Sequence, residues 1–85
     1  MAYRVYVIQN RERKFYIGLS DDVERRIEQH NIGVSAWTRH KGPWTLIWQS
    51  PDMSLSDARK LELSLKRQKG GDGLYRIIGK VRSGP

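Results

Sequence analysis

The sequence contains no cysteine. That absence excludes a disulfide framework, a thiolate zinc site and a cysteine nucleophile, and with them the zinc-finger and treble-clef routes to stabilising a small domain. Acidic residues are scarce as well. Nine Asp and Glu stand against 16 Lys and Arg, a net charge of +7 with a pI near 10.2. This balance favours a polyanionic partner, nucleic acid first, and disfavours an acidic site for cationic substrates. Long hydrophobic runs are missing too. Stretches such as Val5 to Ile8 and Thr45 to Trp48 fall far short of the ~20 residues of a membrane span. Met1-Ala2-Tyr3-Arg4 lacks the layout of a secretory signal. The expectation is a soluble protein without membrane contact, with the cytoplasm as default compartment. A chain of 85 residues buries only about 60% of its unfolded surface and cannot divide that core. A single domain is therefore expected over residues 1–82, with 83–85 as a frayed tail.

The charge that is present is unevenly placed. Residues 1–58 hold eight Lys/Arg and seven Asp/Glu, whereas residues 59–85 hold eight Lys/Arg against Glu62 and Asp72 alone. A merely solvated surface usually mixes signs. Tyr3 to Gln9 and Lys14 to Leu19 are rich in β-branched and aromatic residues and flank a polar Asn10-Arg11-Glu12-Arg13, which predicts a β-hairpin. Asp21 followed by Glu24 resembles a capping box, and Gly33 supplies a stop, so a helix is predicted over 22–31. Val34 to Gly42 has no period and reads as a basic loop. Trp44 to Gln49 alternates as a third strand, ended by Pro51-Asp52. Ser54 can cap a second helix running to about Lys69, and Leu74 to Val81 suits a short terminal helix, with a strand as the alternative. Gly70-Gly71-Asp72-Gly73 is a plausible hinge. The order is ββαβαα, an α+β fold.

At about 100° per residue, Val23, Ile27, His30 and Arg26 fall along one side of the first helix, and Arg25 points away. Arg26 and His30, an i, i+4 pair bordering the apolar stripe, can lean over the sheet. There arginine could hold a phosphate bidentately and imidazole could shuttle a proton. An edge-of-core arginine and a backbone-bonded histidine is the blander alternative. On the second helix Glu62 falls among Leu55, Ala58, Leu61 and Leu65. A carboxylate in that stripe needs a cation, a donor or a proton. Two readings stay open: a salt bridge, with Lys66 for example, or a Mg²⁺ site, since Mg²⁺ is commonly held by one or two carboxylates with water and substrate phosphate completing the shell. Tyr6 and Tyr16 lie near each other across the hairpin. They stand directly opposite if the turn leaves an odd number of unpaired residues, and a one-residue slip separates them. Gly18 would allow a substrate or another backbone close to the strand, or mark a bulge.

Val5-Tyr6-Val7, then Tyr16-Ile17-Gly18, then Arg26 and His30 on the following helix, then Glu62 on the next, together resemble a GIY-YIG endonuclease domain. The likeness runs over roughly residues 3–69 and is to the small standalone members. Trp37-Thr38-Arg39 resembles their aromatic-Thr-Arg stretch, and Ala58 through Lys66 resembles their pattern around the glutamate. Val5 stands where the family has its first glycine, and no asparagine follows the Glu62 helix. The resemblance implies metal-dependent hydrolysis of a DNA phosphodiester on a three-stranded antiparallel sheet flanked by helices. Carried over, Glu62 would hold one divalent ion, Mg²⁺ or Mn²⁺, and Arg26 would stabilise the phosphoryl charge. Tyr6 would deprotonate or orient the attacking water, with His30 and Tyr16 assisting. Lys66, Arg67 and Lys69, with the Arg39-His40-Lys41 loop, would track the duplex backbone, and Trp37 would stack on a base or cover the core. The absence of an appended specificity domain argues against a restriction or homing enzyme, and the expected target is DNA structure or a lesion, as in repair, with a protein partner as one source of specificity. A non-catalytic DNA-binding module or an adaptor of a repair complex is the competing class.

Overall fold

The computed structural model describes residues 2–33, 41–68 and 73–76. Three strands, β1 (Arg4–Gln9), β2 (Phe15–Ser20) and β3 (Thr45–Gln49), and two helices, α1 (Val23–Asn31) and α2 (Leu55–Lys66), follow the predicted order. Residues 73–76 are helical, and the remainder of the short helix expected over 74–81 lies outside the described residues. The sheet is antiparallel in the order β2-β1-β3. A central strand covered on both faces reads as a continuous apolar run, and Val5, Tyr6, Val7 and Ile8 are all fully or almost fully buried.

Because successive side chains on a strand alternate in direction, β1 feeds two separate cores. Val5 and Val7 pack with Ala58, Leu65 and Leu74, joined by Phe15, Ile17 and Leu19 from β2. Tyr6 and Ile8 turn the other way, to Val23, Trp44 and the partly buried Tyr16, Ile27 and Leu46. The sheet is thus a partition with α2 on one side and α1 on the other. A bulge between Val7 and Ile8 in the β1–β3 pairing departs from the simple alternation expected of the third strand. It places Ile47 and Trp48 together on the α2 side while Leu46 joins the α1 side. Trp44 lies just outside β3 and is buried.

The hairpin register runs Gln9↔Phe15, Ile8↔Tyr16 and Tyr6↔Gly18. Residues 10–14 form the loop, held by buried Asn10, whose Oδ1 accepts from the backbone N–H of Glu12 at 3.0 Å and Lys14 at 2.9 Å. Arg13 takes the left-handed conformation at φ 64°. The loop length is odd, yet Tyr6 and Tyr16 are not opposite as expected. They share a face but sit diagonally, because the five-residue loop demanded by the Asn10 turn shifts the pairing by two from the register that would face them.

Two helix ends also differ from expectation. Asp22, not Asp21, caps α1, accepting from Arg25 N–H at 3.1 Å, while Asp21 pairs with Arg25 through its side chain at 3.6 Å. The backbone at Asp22 is still non-helical, with φ −144° and ψ 88°, as at an N-cap. Gly33 ends the helix turn at φ 87°, a left-handed angle at which glycine has no Cβ penalty. Ser54 caps α2 as expected, accepting from Asp57 N–H at 3.1 Å. That helix ends at Lys66 rather than near Lys69. The tail at 83–85 and the 70–72 part of the hinge lie outside the described residues.

Candidate active site

The alternation that divides the cores also aims Tyr6 at α1. Its hydroxyl lies 2.8 Å from His30 Nε2. His30 is 1% exposed, held by the apolar side of α1 that also carries Val23 and Ile27. The His30 ring stacks edge-on to Tyr16, with centroids 4.6 Å apart and planes at 60°. Tyr6 lies 6.4 Å from Tyr16 and 5.9 Å from His30 between ring centroids. Aromatic pairs favour such tilted and edge arrangements because the ring face is negative and the edge positive.

Gly18 makes room for this cluster. A Cβ added to it would stand 2.5 Å from the Tyr6 hydroxyl oxygen and 2.7 Å from Cζ. The β1–β2 register runs unbroken past Gly18, so it marks no bulge there, and its close neighbour is the Tyr6 phenol, lying across the edge strand β2.

Arg26 completes the polar part. Its Nη1 donates to Gln29 Oε1 at 3.0 Å, and its positive charge acts on the Tyr6 hydroxyl. Burial pushes the Tyr6 phenol up to about 12, helped by the nearby Tyr16 and by the negative charge of Glu62 and opposed by Arg26. Burial, and then the Arg26 charge, push His30 down to about 4. At neutral pH both groups are uncharged. The Tyr6–His30 bond therefore joins two neutral groups, the direction of its proton following the imidazole tautomer. Among the described residues no buried side-chain donor or acceptor is left without a partner.

Glu62 enters from α2. Its side chain is 23% exposed, and its Oε2 lies 3.6 Å from Lys66 Nζ. The helix-wheel position holds, since Ala58 and Leu65 are buried and Leu55, Leu61 and Glu62 are half-buried. Among the described residues no three His, Cys, Asp or Glu are grouped to cage a metal. The donor set is thus a lone carboxylate backed by a lysine. It does not suit zinc, which takes three or four protein ligands. It does suit a hard cation that draws most of its oxygens from water and phosphate.

The model of the GIY-YIG catalytic domain matches residues 2–76. The chain belongs to the GIY-YIG family. It is 35% identical over 66 residues to a UPF0213 protein of Vibrio parahaemolyticus, covering 76% of this chain and 62% of that protein. It is 32% identical over 89 residues to the UPF0213 protein YhbQ of Escherichia fergusonii, covering 93% of this chain and 89% of that one. The chain therefore spans less than two thirds of the Vibrio relative's length. The solution NMR structure of a UPF0213 protein from Bacillus halodurans superposes with a TM-score of 0.58 at 26% identity, covering 100% of this chain and 89% of that one.

In this GIY-YIG domain Tyr6, Tyr16 and His30 form one linked group, and Arg26 and Glu62 are close enough for their charges to act on Tyr6. Lys66 and Arg67 are exposed at the end of α2, and Lys41 is exposed before β3. Trp37, Arg39, His40 and Lys69 lie outside the described residues. Three residues that the sequence did not mark as site residues support this arrangement. Gln29 holds Arg26, and its signal was the i, i+3 spacing on α1. Asn31 grips the Trp44 backbone, accepting from its N–H at 2.7 Å and donating to its carbonyl at 3.2 Å. Asn10 donates to the Lys41 carbonyl at 3.1 Å. No spacing rule could have found the last two, because each joins segments distant in sequence.

Proposed function

We propose that this chain is a divalent-metal-dependent endonuclease that hydrolyses DNA phosphodiester bonds, selecting DNA by structure or lesion more than by sequence. The observation that carries the reading is the Tyr6 hydroxyl held against His30 Nε2 at 2.8 Å with Arg26 alongside, inside a GIY-YIG domain. Arg26 brings a permanently charged, planar donor to a pocket where a phosphate can be held by two parallel N–H bonds. Tyr6 arrives at neutral pH with its proton in place. It therefore positions the attacking water through its oxygen lone pair and does not meet it as a phenolate. His30, neutral and fixed by Tyr16, sets the direction of the phenol O–H. Glu62 would hold Mg²⁺ or Mn²⁺ together with a phosphate oxygen and water. Such an ion, when bound, neutralises phosphoryl charge and makes water more acidic. Lys41, Lys66 and Arg67, with Arg39, His40, Lys69 and Trp37, would contact the duplex away from the reacting phosphate, and a protein partner would supply further selectivity.

Glu62→Gln tests the reading. It removes the charge and keeps the shape, so Mg²⁺-dependent nicking of duplex or branched DNA should vanish while filter binding persists. Chelation of the wild type should have the same effect. The ion pair removed with Glu62 is a partly exposed i, i+4 pair, so the melting temperature should hardly move. Undiminished cleavage by Glu62→Gln would overturn the catalytic assignment. Binding without cleavage in the wild type, at any Mg²⁺ or Mn²⁺ concentration, would establish the binding module or adaptor instead.

A further inference from the structure

Arg26 is a long, flexible side chain asked to act as a fixed tool. An arginine carries about 2 kcal/mol of rotamer entropy, and a guanidinium that swings cannot meet a phosphate in one geometry. The Nη1 bond to Gln29 Oε1, 3.0 Å long, opposes that freedom directly. A planar group held at one edge is restricted in its swing, and guanidinium has five N–H donors in a rigid fork. One donor is spent on Gln29, and the fork keeps others to offer an anion. Gln29 is suited to this part. It is half-buried, one helical turn from Arg26 and next to buried His30. Its amide accepts without carrying charge, so it orients the guanidinium without cancelling the attraction for phosphate. A carboxylate in its place would accept as well but would compete with the substrate.

We infer that Gln29 is a positioning residue, holding the Arg26 guanidinium in the plane from which it engages the scissile phosphate. This inference rests on the nuclease reading and adds to it a residue that touches neither DNA nor metal. An i, i+3 surface pair on a helix would contribute only a few tenths of a kcal/mol, so a purely structural Gln29 would leave turnover alone.

The experiment compares wild type, Arg26→Ala, Gln29→Leu and Gln29→Glu in Mg²⁺-dependent cleavage of one branched DNA, with kcat and KM separated and thermal melts in parallel. Arg26→Ala should abolish cleavage. Gln29→Leu should lower kcat about 10- to 100-fold, the scale of loss for a catalytic group displaced by an ångström, with KM and melting temperature close to wild type. Gln29→Glu, which restores the acceptor, should recover kcat to within about threefold of wild type and raise KM through its added negative charge. Full cleavage by Arg26→Ala would sink the nuclease reading of the site itself. Loss in Arg26→Ala with an unchanged kcat in Gln29→Leu would leave that reading standing and overturn the inference. So would a Gln29→Glu variant as impaired in kcat as Gln29→Leu. Should Gln29→Leu fail to fold, Gln29→Met, which keeps length without an amide, takes its place under the same criteria.

Discussion

At the scale of single residues, the site depends on how closely Tyr6 and Gly18 fit. Replacing Gly18 by alanine puts a methyl group 2.5 Å from the Tyr6 hydroxyl oxygen. The phenol must move, and the bond to His30 moves with it. Gly18→Ala should destabilise by about 1 to 3 kcal/mol, the usual cost of overpacking, and should reduce cleavage more than its stability loss explains. Melts and turnover on the same preparation check this, and a variant with wild-type values for both would refute it. His30 makes a second prediction through its pH dependence. Its folded pKa of about 4 lies below the ordinary 6.5, so between those values the unfolded chain binds the extra proton. Stability should therefore be full above pH 6.5 and fall as pH drops toward 4, by up to about 3 kcal/mol from this group. Denaturant melts of wild type and His30→Gln at pH 7 and pH 4.5 measure it. The acid-induced loss should be smaller in the variant.

At the scale of elements, each functional group is delivered by a local rule. β1 brings Tyr6 by alternation, α1 brings Arg26, Gln29 and His30 through helical spacing, and α2 brings Glu62. The orientation of α1 therefore governs three residues at once, and its start is set by Asp22, which satisfies the N–H of Arg25 at 3.1 Å. Asp22→Ala should cost about 1 kcal/mol and also weaken cleavage by fraying the turn that leads into Arg26. Ser54→Ala, at the start of α2, should cost a similar amount. The two caps share no partner, so the double variant should show the sum of the single losses to within about 0.5 kcal/mol. A clear excess would mean that the helices communicate through the sheet. Ser50 links the elements in another way. It is fully buried, and its Oγ accepts from Val5 N–H at 3.0 Å and donates to the Pro51 carbonyl at 2.9 Å. It thereby closes the β1 edge where β3 ends.

At the scale of the whole molecule, a net charge of +7 is spread over a body 31 × 31 × 23 Å in extent. Among the described residues the exposed cations of α2 and its end, Arg59, Lys60, Lys66 and Arg67, face few acids, and the only ion pair among them is Lys66 with Glu62. Binding to duplex DNA should therefore be electrostatic and insensitive to sequence. Reversing Lys66, Arg67 and Lys69 to glutamate should weaken binding to unrelated duplexes alike. For every phosphate that a reversed side chain no longer neutralises, the slope of log K against log salt should become shallower by about 1. Equilibrium titrations at several salt concentrations supply both numbers, and a loss confined to one sequence would contradict the electrostatic account. No helix among the described residues is long and apolar enough to cross a membrane.

The sequence by itself determined the element order, the hairpin, the sides of both helices and the family, because these follow from rules acting over a few residues: alternation on strands, the helical repeat, capping side chains and turn chemistry. Val5 to Ile8 announced a central strand, and the places of Arg26, His30 and Glu62 on their helices were legible before any fold was drawn. Other features required the tertiary structure. The hairpin register depended on how Asn10 organises its loop, so the diagonal placement of Tyr6 and Tyr16 could not be read from spacing. The meaning of Gly18 depended on a side chain from the neighbouring strand. The bond from Tyr6 to His30, and the burial that leaves both uncharged, arise only when β1 and α1 pack face to face. Residue identity and spacing encode direction along one element, whereas distance, burial and proton affinity at a site belong to contacts between elements, which only packing creates.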